Sequence, residues 1–163
     1  MTAAFTVAPA DAALGAVVTG IDLSQPLDAQ TTERLRRAWL DHLVLVFPDQ
    51  RLGLEQLEAF SQAFGPFGDD PFIAPMADHP HVIEVKREAD EKASVFAAAW
   101  HSDWSFQDQP PAGTVLYSRI IPSVGGDTLF CNGYLAYERL PETTKARIAD
   151  MQAVHSAALA YTP

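Results

Sequence analysis

Trp100-His101-Ser102-Asp103-Trp104-Ser105-Phe106 is the stretch on which the reading of this chain turns, with Gly125-Gly126-Asp127-Thr128-Leu129-Phe130 downstream of it. In an extended backbone, residues i and i+2 project from the same face. His101 and Asp103 would then present an imidazole nitrogen and a carboxylate oxygen to a single ion while Ser102 points away. One His, one carboxylate and a distant second His occupy one face of an octahedral Fe(II) and leave three positions open, which is what an oxygenase needs. By itself a His-x-Asp triplet arises by chance, and an exposed polar strand end is the competing reading. The glycine pair alone is equally compatible with a plain hairpin turn, because glycine adopts positive φ freely.

Working outward from this stretch, the apolar pattern predicts elements on both sides. Val17-Val18 leading to Gly20 reads as a short strand entering a turn that Pro26 closes. Thr31 and Thr32 can cap a helix running to about His42, with Leu35, Ala38, Trp39 and His42 on one face. Leu43 to Phe47 is a continuous apolar run ended by Pro48-Asp49, which predicts a strand buried on both faces. A second amphipathic helix is expected from Leu54 to Phe64, stopped by Gly65-Pro66. Pro71 to Pro80 reads as a loop, Val82 to Val85 as a strand, and Lys86 to Lys92 as a solvated charged stretch, with a mobile cover over a site as the alternative. Thr114 to Ile121 and Thr128 to Cys131 read as two further strands. Asn132 can cap a helix through Leu140, and Pro141 starts another ending near Asp150. Helices early and strands later, without regular alternation, predict an α+β domain with an antiparallel sheet rather than a doubly wound fold.

Composition narrows the function classes. Lys and Arg number 11 against 21 Asp and Glu, a net charge of −10, and no basic cluster stands out, so nucleic acid and anionic membranes are poor partners. Cys131 is the only cysteine, which excludes an intrachain disulfide and reads as a small buried side chain. The first 20 residues lack a basic leader, and apolar runs such as Leu43 to Phe47 fall well short of the ~20 residues of a membrane span. A cytoplasmic protein is the expectation.

Taken in order, Trp100-His101-Ser102-Asp103, Pro110-Pro111-Ala112-Gly113, Ile121-Pro122, Gly125 to Phe130 and Ala136-Tyr137-Glu138 closely resemble the motif set of the taurine dioxygenase and 2,4-dichlorophenoxyacetate dioxygenase family. Upstream, Gly20-Ile21-Asp22-Leu23, His42 with the run to Phe47, Asp49-Gln50 and Phe64-Gly65 are similar to the same family, so the resemblance spans roughly residues 15 to 155. It implies an Fe(II)- and 2-oxoglutarate-dependent dioxygenase that hydroxylates a small organic substrate with O2, releasing succinate and CO2. The implied fold is a double-stranded β-helix (jelly-roll) core with flanking helices, of which residues 1–163 would form the N-terminal part of a single domain. The implied iron ligands, and so the catalytic pair, are His101 and Asp103. Thr128 would hydrogen-bond a carboxylate of 2-oxoglutarate. Related iron halogenases lack the carboxylate ligand, so Asp103 implies oxygen transfer rather than halogenation.

For the substrate, the resemblance gives mostly a negative. In taurine-specific members a His and a Tyr after the second helix, and an Asn four residues before the iron-binding His, contact the sulfonate. Asp70, Ile73 and Ala97 fall at those positions here, so the sulfonate contacts are expected to be absent. Phe72, Trp104 and Phe106 are candidates for an apolar substrate wall, with core packing as the alternative.

Two further parts of the family pattern are not identifiable in this chain: the distal His ligand, and the Arg that pairs with the distal carboxylate of 2-oxoglutarate. His155 precedes the region where that ligand belongs. His42 reads as packing or capping, and His79 and His81 as solvent-exposed. A truncated, inactive relative acting as a binding module is the alternative function, and another metalloenzyme using His101, Asp103 and His155 is the third. Unpaired strand edges would favour a homo-oligomer.

Overall fold

The computed structural model describes residues 4–88, 90–92 and 99–159. The chain forms two compact units, Met1–Phe64 with Tyr117–Gln152, and Gly65–Leu116 with Ala153–Pro163.

Among the described residues, the first unit holds a three-stranded sheet and four α-helices. Strand β1 (Thr6–Pro9) pairs antiparallel with β2 (Ala16–Thr19), in the register Thr6 to Thr19. Strand β3 (Leu45–Val46) runs parallel to β2, with Ala16 opposite Leu45. The sheet is therefore mixed, not antiparallel as the element order suggested. In β2 alternate residues are buried, Ala16 and Val18 facing inward and Val17 and Thr19 outward, the period-two pattern of a half-buried strand. The run at Leu43 to Phe47 is an edge rather than a central strand. Only two of its residues pair, and Val46 stays half-exposed, because Leu43 leaves helix α1 with φ 67 and delays the extended segment.

Helix α1 (Ala29–His42) is capped by Asp28, whose carboxylate accepts from Thr31 N at 2.7 Å, and not by Thr31 or Thr32. Thr31 lies inside the helix and joins Leu35 and Ala38 on its buried face, spaced at three and four residues. Helix α2 (Leu54–Gln62) follows, its first turn closed by Gln56, whose side chain accepts from Gly53 N at 2.7 Å. Leu57 and Phe60 are buried, as are Phe5, Ile21, Leu23 and Leu52. The Gln50 side chain ties the loops together, accepting from Leu23 N and donating to Ile21 O and Pro48 O.

The second stretch of this unit is anchored at two points. Tyr117 Oη accepts from Leu52 N at 3.0 Å, and Asn132 Nδ2 donates to Ala13 O at 2.7 Å. Asn132 also caps α3 (Gly133–Glu138) as expected, and α4 (Glu142–Ile148) follows Pro141. Among the described residues, the buried ones all fall between Phe5 and Phe60.

Three predicted strands are not strands here: Val82 to Val85, Thr114 to Ile121 and Thr128 to Cys131. A strand exists by virtue of its ladder partner, and among the described residues these segments have none. Cys131 is exposed for the same reason, correcting the expectation of burial. Conversely, β1 escaped the sequence reading because four residues ending in Pro9 carry little pattern of their own. No helix among the described residues is long and apolar enough to cross a membrane.

Candidate functional site

The second unit is mostly irregular backbone, and its order comes from side chains. Residues 103–106 form a turn, so His101 and Asp103 are not alternate residues of a strand. They converge all the same. His101 Nε2 lies 3.0 Å from Asp103 Oδ1, with both side chains about half exposed, at 48% and 46%.

The hydrogen-bond roles in this pair are constrained. His101 Nδ1 lies 2.7 Å from Ala99 O, and a carbonyl only accepts, so Nδ1 carries a proton. In the neutral ring Nε2 is then an acceptor facing a carboxylate oxygen. A 3.0 Å separation fits a hydrogen bond between the two groups and equally two ligands on one cation. Two ligands about 2.1 Å from one ion and at right angles stand about 3.0 Å apart, so the pair also has the bite of neighbouring ligands in an octahedral site. The other Asp103 oxygen, Oδ2, accepts from Thr114 Oγ1 at 2.8 Å. Ala99 O and Thr114 thus orient the imidazole and the carboxylate from behind, the usual support for metal ligands.

The chain continues through Trp104, which adopts φ 47. A left-handed conformation costs a non-glycine residue roughly 1–2 kcal/mol. Contacts on either side hold it there. Trp104 Nε1 donates to Asp70 Oδ2 at 3.3 Å, while Asp70 Oδ1 accepts from Phe72 N and Ile73 N at 2.8 and 3.0 Å. Phe72 and Phe106 meet edge to face with centroids 5.7 Å apart. Gln107 Nε2 donates to Asp69 O at 2.8 Å. Asp70, Phe72, Ile73, Trp104 and Phe106 are thereby brought together around the turn that carries Asp103.

Ala97 lies outside the described residues. His155 Nδ1 sits 2.7 Å from Ser105 Oγ, yet among the described residues no third His, Cys, Asp or Glu joins His101 and Asp103 in a metal-holding group. His81 stacks on Phe67 at 4.1 Å between centroids, and His42 supplies its carbonyl to Gly15 N. Thr128 belongs to the first unit and is exposed after a turn in which Gly125 and Gly126 have φ 79 and 78. A Cβ on Gly126 would lie a tight 3.2 Å from the Pro122 ring, and the positive φ there favours glycine.

Thr114 and the Ala99 carbonyl escape a sequence reading. Thr114 stands 11 residues from its partner in an apolar run that signals only a strand.

Comparison with known proteins agrees with the motif order. Residues 6–162 match the family model described as "Taurine catabolism dioxygenase TauD, TfdA family". The chain is 37% identical over 158 residues to an (S)-phenoxypropionate/alpha-ketoglutarate-dioxygenase of Sphingobium herbicidovorans, covering 96% of this chain and 55% of that protein. It is 33% identical over 156 residues to the alpha-ketoglutarate-dependent 2,4-dichlorophenoxyacetate dioxygenase of Cupriavidus pinatubonensis, covering 86% and 54%. Among solved structures, a taurine dioxygenase from Burkholderia xenovorans superimposes with a TM-score of 0.72 at 32% identity, covering 90% of this chain and 51% of that one. Another similar structure, AAD-2 in complex with Mn(II) and N-oxalylglycine, gives a TM-score of 0.65 at 25% identity, covering 90% and 50%. The chain spans about half the length of these relatives. A match over residues 6–162 places it in that family: the chain belongs to the TauD, TfdA family.

Proposed function

We propose that this protein is an Fe(II)- and 2-oxoglutarate-dependent dioxygenase that hydroxylates a small organic substrate. The observation that carries this reading is the convergence of His101 Nε2 and Asp103 Oδ1 to 3.0 Å, an imidazole nitrogen and a carboxylate oxygen supported by Ala99 O and Thr114. In this reading His101 and Asp103 are two protein ligands of the iron. Fe(II) with 2-oxoglutarate supplies the oxidative decarboxylation that couples O2 to hydroxylation and releases succinate and CO2. Thr128 donates its hydroxyl to a carboxylate of 2-oxoglutarate, with the Gly125-Gly126 turn letting the backbone pass close to it. Phe72, Ile73, Trp104 and Phe106 give the substrate side an apolar character. The jelly-roll core of the family is the fold in which this chain's unpaired extended segments would find their ladder partners.

Asp103→Ala tests the assignment. Turnover should fall by at least about 100-fold, the upper end for groups supporting a metal and a lower bound for a ligand itself. The metal-free melting temperature should hardly move, since an exposed carboxylate contributes little packing. Succinate formation and a thermal melt are the two measurements. Undiminished succinate formation would remove Asp103 from the site.

A further inference from the structure

We propose that Asp70 is a positioning residue for the metal-binding turn: through the Trp104 indole, its carboxylate clasps residues 69–73 to residues 103–107 and so fixes where Asp103 stands. The inference rests on the reading that His101 and Asp103 hold the metal. Asp70 is half-buried and spends its acceptor capacity on the chain itself. One oxygen closes a turn over Phe72 N and Ile73 N, and the other takes the Trp104 N–H at 3.3 Å. A carboxylate has about four acceptor sites, so three donors nearly saturate it, which suits a fixed strut better than a substrate contact.

The clasp is not a lone bond. Two further ties join the same two segments, the Phe72–Phe106 edge contact at 5.7 Å and the Gln107 bond to Asp69 O at 2.8 Å. Trp104 follows Asp103 directly and is held at φ 47, a conformation the chain keeps only where its surroundings dictate it. None of these ties touches His101 or the Asp103 carboxylate. Their influence on the metal passes through the backbone of Trp104.

The test is a double-mutant cycle in the full-length protein, read as Mn(II) dissociation constant and metal-free melting temperature. Trp104→Phe keeps an aromatic ring, though a smaller one, and removes the N–H. Asp70→Asn keeps an oxygen for Phe72 N and Ile73 N but turns an amide N–H2 toward the indole, setting donor against donor. Each single variant should weaken Mn(II) binding by about 10-fold, the scale for groups acting behind a ligand. The melting temperature should stay close to the parent's. Asp70→Asn should cost little more once Trp104→Phe is present, because the two changes break one interaction. Unchanged Mn(II) affinity in the single variants, or fully additive losses, would overturn the clasp. So would a collapse of the metal-free melt, which would make Asp70 a folding residue. Failure of the parent protein to bind Mn(II) would instead sink the functional reading, and the clasp with it.

Discussion

Thr128 is the residue whose assignment is easiest to isolate, since it lies in the first unit while His101 and Asp103 lie in the second. Replacing it by Val preserves shape and removes one hydroxyl. If that hydroxyl donates to an ionised carboxylate, the loss is worth roughly 1.5–3 kcal/mol, or about 10-fold or more in the KM for 2-oxoglutarate. Metal affinity should be untouched. Steady-state kinetics with 2-oxoglutarate varied, alongside a Mn(II) titration, check both halves, and an unchanged KM would reduce Gly125 to Thr128 to a turn. At this scale the sequence was a good guide to residue types and a poor one to their partners. His101 and Asp103 are singled out by the ordered motifs around them, whereas the partners Thr114 and Trp104 stand 11 and 34 residues from Asp103 and Asp70.

At the scale of elements, helix α1 offers a test with a defined pH sign. Its cap, Asp28, has a pKa held below the ordinary 3.8 by the backbone hydrogen bond from Thr31. A depressed native pKa means that the ionised cap stabilises the fold in full above 3.8 and that this contribution is lost as pH falls through the lowered native value. Asp28→Ala should therefore lower the melting temperature by roughly 2–4 °C near neutral pH. The gap to the parent should close as the solution is acidified below that range. A gap independent of pH would show that the charge of Asp28 does not contribute to the cap. The helices were legible because three-to-four periodicity is local, although the α1 cap is Asp28 and not Thr31 or Thr32. The strands were not, since Thr114 to Ile121 has every local mark of a strand and lacks only a neighbour.

For the whole molecule the informative feature is how much apolar side chain remains outside the core. Ile120, Val124 and Leu129 are 92%, 87% and 72% exposed, and Trp100, Val115, Leu116, Tyr134 and Val154 are also exposed. Such surface favours association. The 163-residue chain expressed by itself should migrate as an oligomer or aggregate in size-exclusion chromatography with light scattering, and a clean 17.7 kDa peak would contradict this. Residue type and order were enough for the family, the helices and the acidic character, and they named His101 and Asp103 as candidates, because periodicity, composition and motif order are properties of the chain before it folds. The tertiary structure alone decided the mixed sheet, the edge position of Leu45–Val46, the left-handed Trp104 and the network behind Asp103. Those depend on which distant N–H meets which oxygen, and burial and hydrogen bonding settle such pairings only once the chain has closed on itself.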